Sequence, residues 1–547
     1  MDVNEKGYSL VLVMLTVTVF FIIGLTILSV SIYQAKFTQV RIEDVTSLHD
    51  AVKNVEETIA ELKVKVEQLT LSTPAQLDLD LGNAQAGFLN ELMNRHGVTI
   101  EDITDAKGIV RNQLFTRVFR IYAPYGKKVV TREVIITNAP SFLKYALGSR
   151  ENVTLNGGAY IDGNIYAGKN IYITNVANYI YNSTLYSVQT SFPTTSEKSI
   201  LFVEGNRYAC DHGNGAKSCY TISNEFTKNM NDFSSSSLSF QYQGPSVQKE
   251  QEEFIDVNFD LTLKDKLLSA AGIDAFDQSK QTQYQNLISL PLSELIEQVK
   301  SSFVTVVVHD LIDLSTALEG AIASGKSIFL DTSTIPYFDI SSLTLNDNQW
   351  LIVNGDLTLE NAGNSPLQIS GNIIVLGNLT ITGEVAFDST VYVNGNTSIY
   401  NTTISGLNGK EVVLLTKGEL EIARVNEFTN NFSLTTPNLK GFFYTDSNAV
   451  IYAVGSYINI EGGLFARGNS SIIPYTDENG LIINTYRGET SDSGTNLSFQ
   501  APISSEEEQK KYARFVVKHN KDVFINRGLG LPLVKQLAVI VDELRVQ

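Results

Sequence analysis

In CDHGNGAKSC, Cys210 and Cys219 stand close together with His212 between them. Two thiols at that spacing suit one disulfide closing a polar, Gly-rich loop of an exported chain. With His212 they could also supply three zinc ligands, but a tetrahedral site needs a fourth and nothing nearby provides it. The disulfide is the expected state, and no metal is expected. A polysaccharide-cleaving centre would need two or three carboxylates converging on a groove. Asp162, Asp347 and Asp356 are the candidates, yet each sits beside Gly or Asn in IDGN, LNDNQ and NGDL. Asp favours such turns for its own hydrogen-bonding reasons. HDLID gathers His309, Asp310 and Asp313 after the apolar run FVTVVV, which reads as a polar strand end. The 5 histidines are scattered singly, so neither nucleophilic nor zinc chemistry has support. The chain is expected not to be an enzyme and to need no cofactor.

The elements around these residues follow from composition and pattern. A chain of 547 residues has room for roughly two to four domains. Its charged fraction is only 18%, while Gly, Asn, Ser, Thr and Tyr are plentiful, a balance that suits β-rich architecture with tight turns. A net charge of −18 argues against a nucleic-acid partner, which needs clustered Lys and Arg, and against docking on anionic lipid through a basic patch.

No charged residue occurs from Tyr8 to Gln34. Leu10 to Ile32 alone would give about 35 Å of helix at ~1.5 Å per residue, enough to cross a hydrocarbon core of about 30 Å. A cleaved secretory signal has a basic start and a shorter apolar run; here the leader carries Asp2, Glu5 and Lys6. SVS at Ser29–Ser31 keeps cleavage there open as the alternative. The expectation is one membrane anchor, with the N-terminus in the cytoplasm and a large C-terminal domain outside it.

EKG followed by YSLVLVMLTVTVF resembles the class III leader of type IV pilins and pseudopilins. The resemblance implies cleavage after Gly7 by a prepilin peptidase, leaving Tyr8 as the mature terminus. That family usually carries Glu at the fifth mature position, where this chain has Leu12. A buried terminal amine without that carboxylate is costly, so the resemblance is nearest to PilX-type minor pilins of bacteria, at a filament tip or in its initiation.

Beyond Gln34, Val45, Val52, Ile59 and Val66 recur every seventh residue, each followed at three by Leu48, Val55, Leu62 and Leu69. β-Branched residues at the first position and mostly Leu at the second favour two parallel helices, and Glu61–Lys65 adds a favourable i,i+4 pair. The seam predicts pairing with a second coiled-coil chain or another pilin-like subunit; packing on the chain's own globular domain is the alternative. Pro74 ends the helix.

Downstream, LIVNGDLTL, IIVLGNLTI and VYVNGNTSI share one template, with Gly355, Gly377 and Gly395 spaced by about 20 residues, and LNGGAYIDGNIYAGKNIYI and GGLFARGNSSI repeat it. Short strands with inward apolar residues and Gly/Asn turns predict a mainly β fold, a right-handed parallel β-helix-like solenoid. Between the matching blocks lies a Cys-, Ser- and helix-containing stretch, expected as an inserted α+β subdomain. The expected organisation is a leader 1–7, transmembrane helix 8–34, coiled-coil stalk 35–73, α+β region 74–148, first β-helix segment 149–174, insertion 175–345, main β-helix 346–500 and a C-terminal extension 501–547.

Overall fold

The computed structural model describes residues 6–235, 239–250, 253–308, 314–331, 340–346, 348–361, 365–468, 479–502, 506–526, 530–532, 534 to 546. His309, Asp310, Asp313 and Asp347 lie outside them. The chain divides into two units, one of Met1–Thr137 with Leu537–Gln547, the other of Asn138–Gln536.

The first unit starts with one uninterrupted helix, α1 (Lys6–Glu67). It holds no Pro, Gly7 and Gly24 do not interrupt it, and Thr16, Thr18 and Thr26 return their hydroxyls to the carbonyls one turn back, which satisfies polar groups that lipid would not. Short helices α2 (Pro74–Leu81) and α3 (Phe88–His96) follow. Pro74 opens α2 where its missing N–H costs nothing, and the Thr73 hydroxyl caps it by accepting from the Gln76 amide. A sheet then forms from β1 (Thr99–Asp102), β2 (Arg117–Tyr125) and β3 (Lys128–Thr137), all antiparallel. The C-terminal strand Ala538–Val541 completes it against β3, pairing Ile135 with Ile540. The last residues of the extension 501–547, whose role the sequence left open, thus complete the sheet that β1–β3 begin, while its strand Phe515–His519 belongs to the second unit.

The second unit is built from three parallel ladders within one network of 25 strands among the described residues. In the first, Val304, Ile328, Leu351, Ile373, Val391, Leu414, Phe443 and Leu464 pair in register, each with the next. The second runs through Leu357, Leu379, Thr397, Leu420, Ala449 and Leu481. The third runs through Leu367, Val385, Ile404, Leu439, Ile460 and Val517. Their inward side chains form one core of Ile, Leu and Val, nearly all fully buried.

Each ladder continues into the early part of the unit. Leu464 pairs with Leu147, Leu481 with Val153 and Val517 with Ile161. Beyond these, Ile165 pairs with Leu201, Ile171 with Arg207, and Leu201 with Val247. Strands from within 175–345, expected as a separate insertion, therefore join the same ladders. The helices Phe259–Ala270, Gln281–Ile288 and Leu292–Val299 fill the stretch between the two ends of the first ladder. The period is hidden there because the coil from Ile165 to Leu201 also holds a hairpin, Val176–Tyr181 with Thr184–Gln189.

The turns between ladders stack as well. Asp356 Oδ1 accepts from the Asn378 amide, Asn378 Oδ1 from the Asn396 amide, and Asn396 Oδ1 from the Glu419 amide, at 2.7, 2.8 and 2.9 Å. The intervening glycines leave no room for a side chain: a Cβ on Gly395 would lie 2.4 Å from Asn378 Oδ1, and one on Gly418 would lie 2.0 Å from Asn396 Oδ1.

Candidate functional site

The candidate site is α1 and what holds it. From Ser9 to Thr46 every side chain is exposed, including Phe20 at 72% and Phe21 at 67%. Over Leu10 to Ile32 this exposed surface is uncharged and mostly apolar, and so long an apolar surface is unfavourable in water. Among the described residues, α1 is the one helix long and apolar enough to cross a membrane. Gly7 and Tyr8 fall in its first turn, and Leu12 follows one turn later on the exposed surface.

From Ala51 onward the helix changes character. Ala51, Val55, Thr58, Ile59, Leu62 and Val66 are buried, a stripe with the period of an ordinary amphipathic helix. It packs on β2, β3, α3 and Ala538–Val541 of its own unit. The seam expected to meet a second helix thus divides. Val55, Ile59, Leu62 and Val66 are covered by the chain itself, Leu48, Val52 and Leu69 are half-buried, and Val45 is 61% exposed. The seven-residue spacing marks an apolar face but not its partner, and here a sheet of the same chain supplies the cover.

Polar contacts fix the same end. Glu61 pairs with Arg95 and lies 3.0 Å from His96 Nε2 of α3, and Glu56 pairs with Arg132 of β3. Glu61 therefore reaches a second element, whereas the sequence suggested Lys65 as its partner. The loop into β2 is anchored by Arg117, whose side chain is fully buried. It donates to Asp78 Oδ2 at 2.9 Å and to the carbonyls of Pro74, Leu114 and Thr116 at 2.8, 2.7 and 2.9 Å. A buried guanidinium is tolerated when its donors are taken in this way. Beside it, Arg111 bridges Asp102 at 2.7 Å, Asp105 at 2.8 Å and Asp78 at 3.2 Å. Burial pushes the Asp102 carboxyl up, but hydrogen bonds from Arg111 and Thr104 overcome this and hold it below the usual range.

The remaining sequence candidates lie in the second unit. Cys210 and Cys219 are joined, with 5.7 Å between their Cα atoms, and are buried against Val176, Tyr220 and Phe226. His212 serves the same loop: its Nδ1 accepts from the Cys219 amide at 3.4 Å, and its own amide donates to Asn175 Oδ1 at 2.7 Å. Asp356 belongs to the turn stack, and Asp162 ends the strand Tyr160–Asp162. The structure does not bring Asp162 and Asp356 onto shared partners. Among the described residues no three His, Cys, Asp or Glu side chains are placed to hold a metal ion.

No protein-family model matches the chain, and no curated protein matches it. Among solved structures it is similar to the competence-associated pilin ComZ from Thermus thermophilus. The identity is 14% over 92% of this chain and 97% of that one, with a TM-score of 0.24, a likeness too slight to carry an argument.

Proposed function

We propose that the chain is a single-pass, membrane-anchored surface protein of the minor-pilin type, acting by contact and assembly and not by catalysis. The observation that carries the reading is the division of α1. Its first half is exposed, uncharged from Tyr8 to Gln34 and mostly apolar, while its last four turns are bolted to a sheet of the same chain. A helix so divided can sit in lipid at one end and carry a folded body at the other without a flexible joint. The motif EKG before Tyr8 supports a prepilin-type cleavage point at the head of that helix, with a prepilin peptidase as the processing partner. The disulfide supports a location outside the cytoplasm. Three ladders advancing by about 20 residues per turn support a right-handed β-helical ectodomain.

Leu12 favours a role at a tip or in initiation over that of a repeating subunit, because it offers no carboxylate to the terminal amine of a neighbour. A static membrane-tethered adhesin is the second reading, favoured by that same residue.

Mass spectrometry of the intact N-terminus, on protein recovered from native membranes, tests the proposal. A chain starting at Tyr8, and a shift to Met1 on Gly7→Val, is the expected result. A start at Met1 in the unaltered protein would remove the pilin pathway and leave the adhesin. A start near Ile32 would remove the anchor.

A further inference from the structure

A groove of about 610 Å³ lies on the outer face of the second ladder, within the size range of sites for small organic molecules. Its floor includes Glu421 of Leu420–Ala423 and Tyr452 of Ala449–Ala453. Two hairpins flank it, Val176–Gln189 and Glu489–Gln500. They are tied together: Tyr181 donates its hydroxyl to Asp492 Oδ1 at 2.6 Å, and Tyr179 meets Phe499 edge-on at 5.6 Å.

The remaining wall is the turn 424–428, where Arg424, Asn426 and Phe428 have φ of 55°, 45° and 55°. Left-handed backbone costs about 1–3 kcal/mol at a residue other than glycine. Here it is held by the bond from the Phe428 amide to the Gly455 carbonyl at 2.9 Å and by the buried Val425, whose carbonyl accepts from Tyr457. The strained turn presents Glu427 and Phe428 to the groove.

Its charge is one-sided. Among the described residues that line it, Glu421, Glu427 and Asp492 face one cation, Arg424; Tyr179, Tyr181, Phe428 and Tyr452 supply aromatic surface, and Ile180, Val454 and Leu497 add aliphatic surface. Carboxylates beside aromatic rings favour a cation, since the ring quadrupole and the negative charges attract it together. They repel a phosphate or a carboxylate. We infer that this groove binds a small organic cation, an alkylammonium or quaternary ammonium group lodged among the aromatic side chains and the Glu421–Glu427 carboxylates. The inference does not depend on how the N-terminus is processed.

The test uses the full chain in dodecyl maltoside micelles, titrated calorimetrically at fixed ionic strength. The probes are choline, n-butylammonium and 3,3-dimethylbutan-1-ol, the last being an uncharged match to choline in shape. Saturable binding of one or both cations, at least tenfold weaker binding of the alcohol, and at least fivefold weaker cation binding by Glu421→Gln/Glu427→Gln are expected. Both substituted residues are exposed, so the variant keeps its melting temperature. Which cation binds tells a quaternary headgroup from a primary amine. Binding of the alcohol as tight as that of choline, no binding of either cation, or full affinity in the double variant would each overturn the assignment.

Discussion

Leu62→Ala tests whether the chain covers its own helix seam. Leu62 is fully buried in α1 against the sheet of its own unit. Truncation loses the transfer energy of the removed carbons and leaves a cavity, which together cost about 2–5 kcal/mol. Ala is the better helix former, so α1 itself is not weakened. A loss of about 3 kcal/mol should raise amide exchange in β2 by roughly a hundredfold, because each 1.4 kcal/mol is about a factor of ten in the opening equilibrium. The assay is hydrogen exchange read by mass spectrometry on the full chain in maltoside micelles, at two protein concentrations a hundredfold apart. The self-covered helix predicts faster exchange of Arg117–Tyr125 at both concentrations. Val45→Ala, at a 61% exposed position, should change little, within about 0.5 kcal/mol. Unchanged β2 exchange in Leu62→Ala, or an effect that disappears at the higher concentration, would show that the seam closes on a second molecule and refute the reasoning.

Gly395→Ala should destabilise the second unit by about 1–3 kcal/mol, since its methyl would press on Asn378 Oδ1 and on the Gly377 carbonyl at 2.7 Å; a lower urea midpoint with an unchanged slope is the readout. His519 gives a pH dependence. Its Nε2 lies 2.7 Å from the Leu143 carbonyl oxygen, and burial lowers its pKa to about 4. The unfolded imidazole takes up a proton near pH 6.5 while the folded one does not, so stability is full above about 6.5 and falls as pH drops towards 4. At most about 3 kcal/mol is lost; urea midpoints at pH 7.5, 5.5 and 4.5 should show the loss, and His519→Gln should flatten it.

The repeat was legible wherever turns and strands kept one length. The steps from Gly355 to Gly377 and on to Gly395 are the offsets at which Leu351, Ile373 and Val391 pair. It was illegible where a hairpin lengthened the coil before Leu201, because periodicity carries no signal across an inserted excursion. The closure of Leu464 on Leu147 was equally hidden, since strand pairing at long range leaves no local mark. In α1 the apolar positions were visible but their cover was not: Val55 and Leu62 look alike whether they face a helix or a sheet. The groove between the hairpins had no linear signature, as Tyr181, Glu427 and Asp492 are far apart in the chain.

The closure of Leu464 on Leu147 and of Val517 on Ile161 bears on how the protein comes into being. Synthesis runs from the N-terminus, so the strands around Leu147 and Ile161 emerge long before the neighbours that must lie beside them. Until residues near 464 and 517 respectively have appeared, one edge of each of those early strands has nothing to pair with, and loop closure over so many residues is slow. A stack built in sequence order could set rung upon rung as the chain emerged. This one can only be completed once residues near 517 have been made, which makes it dependent on protection of its open edges in the meantime. A chain truncated before Phe515 would leave the third ladder open, with Tyr160–Asp162 and Ile458–Gly462 lacking the strand between them.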